Sequence, residues 1–259
     1  MNKEDLLKSI PSLEKLYVVV SDYTRMPYLE CDAETSDDLG YLFFTEEKAK
    51  DKVQELEEIR QKTSLLELNK SSILKNFTIM LLCGFNAVKI HDGTQEYLFQ
   101  LEEIVKLGSH EGLPPEKRPV ENRTLQLTML YFCQELRKDP EHPNQRLLRE
   151  LEEEMLVNVT RGRFLMPCRE QKEGDQVQMQ LITLKVNNDT NMIPIFTDNL
   201  EFEKLPKDDS LKLMVVPFES MLHLPFPNDG AGYLINPMGA GIPIREEFLQ
   251  RIREERQTV

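Results

Sequence analysis

The feature that most constrains this chain is an ordered set of internal matches. Tyr41-Leu42-Phe43-Phe44-Thr45-Glu46-Glu47 resembles Ile193-Pro194-Ile195-Phe196-Thr197-Asp198-Asn199: an apolar strand, then Phe-Thr, then a helix opened by acids. Acids suit that place because a helix N-terminus carries partial positive charge. Ser72-Ile73-Leu74 lies opposite Ser220-Met221-Leu222, and Val88 to Gly93 opposite Leu234 to Gly239. The spacing between matched positions falls smoothly, from 152 (41 to 193) to 148 (72 to 220) to 146 (88 to 234). Such a drift fits a diverged duplication with small insertions. It aligns Phe44 with Phe196 and Gly93 with Gly239.

The second copy reads as a mixture of strands and helices. Phe164 to Cys168 forms a short strand, Arg169 to Asp175 a polar loop, and Met179 to Val186 a strand buried on both faces. Asn187-Asn188-Asp189 is a turn, and Met192 to Phe196 a strand in which Pro194 marks an edge or bulge position. Asp198 with Glu201 three residues on gives a capping box, with Thr197 as the alternative cap. Leu211 to Val216 is an apolar strand and Glu219 to Leu224 a short helix stopped by Pro225 and Pro227. Gly232 to Ile235 and Ile242 to Ile244 are strands flanking Asn236-Pro237-Met238-Gly239. In that turn Pro237 presets the first corner and Gly239 supplies a positive φ. Arg245 to Arg256 closes the chain as an amphipathic helix.

Between the copies, Leu107 to Pro119 reads as a linker and Thr124 to Lys138 and Asn144 to Leu156 as helices. The expected architecture is therefore α+β: two tandem domains, each a mixed β-sheet flanked by helices, joined by a helical connector. The division is 1–108, 109–158 and 159–259.

Phe164-Leu165-Met166-Pro167, Ile193 to Asp198 and Gly232 to Gly239 before a final helix resemble the SseB N-terminal domain family, named for enhanced serine sensitivity. The resemblance covers about 95 residues clearly. The first half resembles a diverged repeat, with Ile90-His91-Asp92-Gly93 where the second has Asn236-Pro237-Met238-Gly239. It implies an α+β domain of bacterial cytoplasmic proteins, without established catalytic residues and loosely associated with sulfur-transferase biology.

That association directs attention to the cysteines. Cys31, Cys83, Cys133 and Cys168 include no C-x-x-C pair, so neither a structural zinc nor a disulfide framework is expected. Cys168 is the candidate reactive thiol, because Arg169 beside it would favour the thiolate. The following Arg169-Glu170-Gln171-Lys172-Glu173-Gly174 lacks the closing arginine of a persulfide loop and sets glutamates near the sulfur. Gly230-Ala231-Gly232 and Gly239-Ala240-Gly241 are each followed by a strand, whereas a dinucleotide fingerprint opens a helix. No catalytic residue, metal or cofactor is assigned.

The chain has 32 basic and 45 acidic residues, a net charge of −13, with no run resembling a signal peptide or a membrane span. Acidity of this degree speaks against nucleic acid and anionic membranes as partners. The leading expectation is a non-catalytic cytoplasmic binding or scaffold protein whose partner is another protein. Phe196, Thr197, Asp198, Asn236, Pro237, Met238 and Gly239 are its candidate contact residues. The alternatives are a sulfur-transfer accessory protein or thiol enzyme using Cys168, and a small-ligand sensor with a cleft between the halves.

Overall fold

The computed structural model describes residues 2–108, 110, 112–114, 117–173, 176–187, 190–226 and 230–257. The chain divides into two compact units, Met1–Glu111 with Arg123–Met155, and Gly112–Asn122 with Leu156–Val259.

The first unit contains α1 (Lys3–Ser9), β1 (Lys15–Ser21), β2 (Met26–Pro27), β3 (Glu30–Cys31), β4 (Asp38–Phe43), α2 (Glu46–Glu58), β5 (Thr63–Asn69), α3 (Lys70–Leu82), β6 (Ala87–His91), β7 (Glu96–Gln100), α4 (Leu101–Ile104) and α5 (Arg123–Lys138). α6 (Gln145–Thr160) crosses the boundary between the units. β5 runs antiparallel along one side of β1, while β4 and β2 share the other side. β6 adds parallel to β4, and β7 closes the sheet antiparallel to β6. Both faces of β1 are covered. Leu16 and Val18 join Phe77 and Met80 of α3, and Tyr17 and Val19 join Ala49 and Leu56 of α2. This two-sided burial is why Leu16 to Val20 is an unbroken apolar run. Gln134 of α5 clasps Leu29, its Oε1 accepting from the backbone N–H at 3.2 Å and its Nε2 donating to the carbonyl at 2.9 Å.

The second unit contains β8 (Arg163–Glu173), β9 (Gln176–Leu181), β10 (Leu184–Asn187), β11 (Thr190–Ile195), α7 (Asn199–Phe202), β12 (Leu211–Pro217), α8 (Phe218–Met221), β13 (Gly232–Ile235), β14 (Ile242–Arg245) and α9 (Glu246–Gln257). The sheets run β10-β11-β13-β14 and β12-β8-β9, and the bridge Leu165–Phe196 connects them. β12 pairs antiparallel with β8, β13 parallel with β11, and β14 antiparallel with β13.

The pairing order of the first unit thus recurs in the second. β1–β5, β4–β6 and β6–β7 correspond to β8–β12, β11–β13 and β13–β14. Register corrects the alignment in detail. The last strand residues before α3 and α8 are Asn69, opposite Lys15, and Pro217, opposite Arg163. Tyr17 therefore corresponds to Leu165. Their partners across the sheet, Phe43 and Phe196, correspond in turn, so Phe196 matches Phe43 and not Phe44. Gly93 and Gly239 are not equivalent either: the hairpin connection after β6 has four residues, 92–95, and that after β13 has six, 236–241.

Two other expectations change. The polar stretch from Arg169 continues β8 to Glu173 instead of forming a loop, because it pairs with β9 in an exposed ribbon. The strand expected over Met179 to Val186 is two strands, β9 and β10, broken at Ile182–Thr183. Gly174 and Asp175 of the expected loop, and Asn188 and Asp189 of the expected turn, lie outside the described residues. Pro194 sits in β11 beyond its last pair with β10, where a missing N–H disrupts no ladder.

Candidate functional site

β11 and β13 run parallel, so their C-terminal ends deliver two loops to one corner of the second unit. One loop is Phe196-Thr197-Asp198 entering α7. The other is Asn236 to Gly241 entering β14. The seven residues singled out from the sequence meet here, and their roles differ.

Phe196 is fully buried with Val120 and Leu165, and meets Phe202 edge-on at 5.4 Å. It anchors the corner. Asn236, only 1% exposed, clasps Thr197: its Oδ1 accepts from the Thr197 backbone N–H at 3.0 Å, and its Nδ2 donates to Thr197 Oγ1 at 2.8 Å. The Thr197 hydroxyl in turn donates to Asp198 Oδ2 at 3.1 Å. Asp198 Oδ1 accepts from the Glu201 N–H at 2.9 Å, which makes Asp198, and not Thr197, the cap of α7. From the other side Asn122 Nδ2 donates to the Thr197 carbonyl at 2.8 Å and to the Arg163 carbonyl at 2.7 Å.

The turn departs from its expected geometry. Gly239 does not hold a positive φ; Asn236 (49°) and Gly241 (65°) do. Asparagine tolerates that region because its short amide can bond locally. Gly239 is constrained by space instead. A Cβ there would lie 2.6 Å from Glu201 Oε2. Both ends of the loop are fixed, since the Asn236 carbonyl accepts from Gly239 N at 2.9 Å and from Gly241 N at 3.1 Å. Between them Pro237 is half-buried, and the Met238 side chain projects, 42% exposed.

Glu201 is the residue that sequence reasoning left incomplete. In a capping box its carboxylate would reach back to the cap backbone. Here it turns inward, only 3% exposed, with Oε1 on Lys204 Nζ at 2.6 Å and Oε2 without a hydrogen-bond partner. Burial pushes its carboxyl above the ordinary range; Lys204 opposes the shift and Asp198 reinforces it. Burial also pushes Asp198 up, against the Glu201 N–H and the Thr197 hydroxyl. The acidic signature three residues after Asp198 was visible, but nothing in the sequence showed that its carboxylate faces Gly239. Asn122 carried no signal.

The corresponding corner of the first unit is built differently. His91 stacks on Phe43 with ring centroids 6.2 Å apart, and His91 Nδ1 accepts from Gly93 N at 3.0 Å. Thr45 caps α2 through Lys48 N at 3.4 Å. A ring stack thus stands where the second unit has its Asn–Thr clasp. Beside it lies an open groove of about 460 Å³ lined by Tyr41, Phe43, Lys48, Lys52, Lys89 and His91 among others. Its lysines are each paired with a carboxylate: Lys48 with Asp51, Lys52 with Glu55 and Lys89 with Asp32, at 2.9, 2.7 and 2.8 Å. The groove therefore offers an anion little uncompensated charge.

Cys168 is fully buried in β8, with Sγ 3.5 Å from the Lys212 carbonyl. Burial, with Glu170 adding, pushes its thiol up. The Arg169 guanidinium, expected to favour the thiolate, bonds Asp208 at 2.8 Å instead. Among the described residues, no three His, Cys, Asp or Glu side chains are grouped to hold a metal ion, and no helix is long and apolar enough to cross a membrane.

Residues 141–251, in the second half of the chain, match the family described as SseB protein N-terminal domain. No curated protein matches the chain. Similar solved structures include Tic22 from Plasmodium falciparum, at 9% identity over 98% of each chain and a TM-score of 0.23. Anabaena Tic22 (protein transport) is similar at 11% identity over 98% of each chain, with a TM-score of 0.22.

Proposed function

We propose that this chain is a non-catalytic protein-binding module and that the Met238 loop is a contact surface of its SseB-family half. The observation that carries this reading is the division of labour at the corner. Asp198 caps a helix, Thr197 and Asn236 hold each other, and Glu201 is buried on Lys204. These groups build the corner and leave little for proton transfer or nucleophilic attack. Met238 alone of the loop projects its side chain well into solvent. A loop held at both ends has little conformational freedom left to lose on association. An unbranched thioether adapts to the surface it meets.

The thiol reading has less support, because Cys168 is buried and burial, with Glu170 adding, pushes its thiol up. Four cysteines held as thiols, outside any disulfide, suit the reducing cytoplasm that we assign to the protein.

The test is recovery of bound proteins from the source cell by the full chain and by Met238→Ala. The variant should lose a discrete partner while its unfolding free energy stays within about 0.5 kcal/mol of the parent. Unchanged recovery would remove the loop from the proposed surface.

A further inference from the structure

We infer that β12 is a strand-addition edge and that its occupant is a second copy of this chain, paired antiparallel about a two-fold axis at Met214. The inference stands apart from the Met238 loop.

Among the described residues β12 pairs with β8 alone, which leaves its other side open. The Phe218 N–H bonds the Gly162 carbonyl at 3.0 Å, and alternation along an antiparallel ladder then turns Val216, Met214 and Lys212 toward β8. Leu211, Leu213 and Val215 turn their N–H and C=O groups away from it. The far side of β8 agrees: Leu165, opposite Val215, exchanges both of its backbone bonds with Phe196. Leu213 and Val215 also expose their side chains, by 38% and 41%.

The first unit provides an internal comparison. Its equivalent edge is β5, where the Asp22–Lys62 bond sets the same alternation. Register places Leu65 at the position of Leu213, and Glu67 at that of Val215. Glu67 lies 3.6 Å from Lys15 on the neighbouring strand, and a charge on an edge discourages further pairing. At the same position the second unit has valine.

Self-pairing is favoured by the way the strand ends. With the axis at Met214, Leu213 of one copy faces Val215 of the other, and these two residues exchange all of their outward N–H and C=O groups. The next pair outward is Leu211 with Pro217. Leu211 has already given its N–H to the Asp208 carbonyl at 3.1 Å, and proline has none, so the ladder stops there without stranding a donor. Lys212, the one charge in the strand, falls opposite Val216, so no like charges meet. The pairing is isologous and closed.

The experiment is sedimentation of the full chain over a concentration series, with oxidative crosslinking of single-cysteine reporters in a Cys31→Ser background. The expected result is a dimer. Val215→Glu, which restores the first unit's charge at an exposed position, should weaken it at least about tenfold with circular dichroism and melting unchanged. Met214→Cys should crosslink to itself, since facing residues on the axis approach within disulfide range, and Lys212→Cys should not. A monomer at every concentration, a dimer indifferent to Val215→Glu, open-ended aggregation, or crosslinking at 212 in place of 214 would each overturn the assignment.

Discussion

The buried carboxylate of Glu201 fills the space beside Gly239 that a side chain at that position would need. A β-carbon at 239 would stand 2.6 Å from Oε2 and 3.3 Å from Cδ. Glu201 is only 3% exposed, so its carboxylate has little room to swing away into solvent, and the conflict falls on the loop. Gly239→Ala should therefore cost about 1–3 kcal/mol, the usual range for overpacking a filled interior. In a Glu201→Ala background the same change should cost much less. A double-mutant cycle in urea with coupling above about 1 kcal/mol supports the contact, and additive losses would refute it.

Asn236 contributes both a backbone conformation and a side-chain clasp, and the two are separable. Asn236→Ala loses the pair of bonds to Thr197 and places an ordinary side chain at φ 49°. Asn236→Gly loses the bonds but accommodates the backbone. The alanine variant should be the less stable by about 1 kcal/mol, the cost of a left-handed conformation for a residue with a β-carbon. Equal losses in chemical denaturation would mean that the backbone conformation is not strained.

Stability should respond to pH in opposite senses at two carboxylate sites. Burial raises the native affinities of Glu201 and Asp198 for protons above those of the unfolded chain. Their contribution is present at low pH and is lost as pH rises from the ordinary carboxylate range through the raised native values. Asp208 is the reverse: Ser210 and Arg169 hold its carboxyl down at about 2. Its contribution is present above the ordinary carboxylate range and is lost as pH falls from about 4 toward about 2. Glu201→Gln should flatten the decline on the alkaline side of the ordinary carboxylate range. Urea midpoints from about pH 4 to about pH 8 check this, and parallel curves for parent and variant would count against it.

Thiol titration gives a direct measure of the cysteine environments. Cys31 is exposed, while Cys83, Cys133 and Cys168 are buried. One thiol should react with an aromatic disulfide under native conditions and four in denaturant. The native reaction should be slow at neutral pH, because burial and the neighbouring carboxylates Asp38, Asp32 and Asp37 push the Cys31 thiol up. Rapid native modification of Cys168 would revive the thiol reading.

The recurrence of strand and helix was legible from sequence where an apolar strand ran directly into a helix opened by acids, as at Phe44-Thr45-Glu46 and Phe196-Thr197-Asp198. That local signal survives divergence because helix capping needs only a short polar side chain in the right place. The exact equivalence was not legible: two Phe-Thr pairs align in sequence, but the register with β1 and β8 shifts them by one. The extension of β8 beyond Cys168 was hidden for a physical reason. Arg169 and Glu170 are both exposed, so an edge ribbon with two wet faces shows no alternation to read. Gly239 was correctly noticed for the wrong cause, since the sequence cannot distinguish a glycine needed for φ from one needed for room.

The interleaved pairing has a consequence for how the protein is made. The β8–β12 ladder spans β11, and the β11–β13 ladder spans β12, so each ladder encloses one strand of the other. The same overlap joins β1–β5 with β4–β6. Only neighbouring hairpins such as β8–β9 and β13–β14 can form early from local chain. A growing chain therefore holds β11 without its parallel partner until Ile235 has been synthesised, and the β11–β13 ladder should acquire its protection against exchange later than β8–β12.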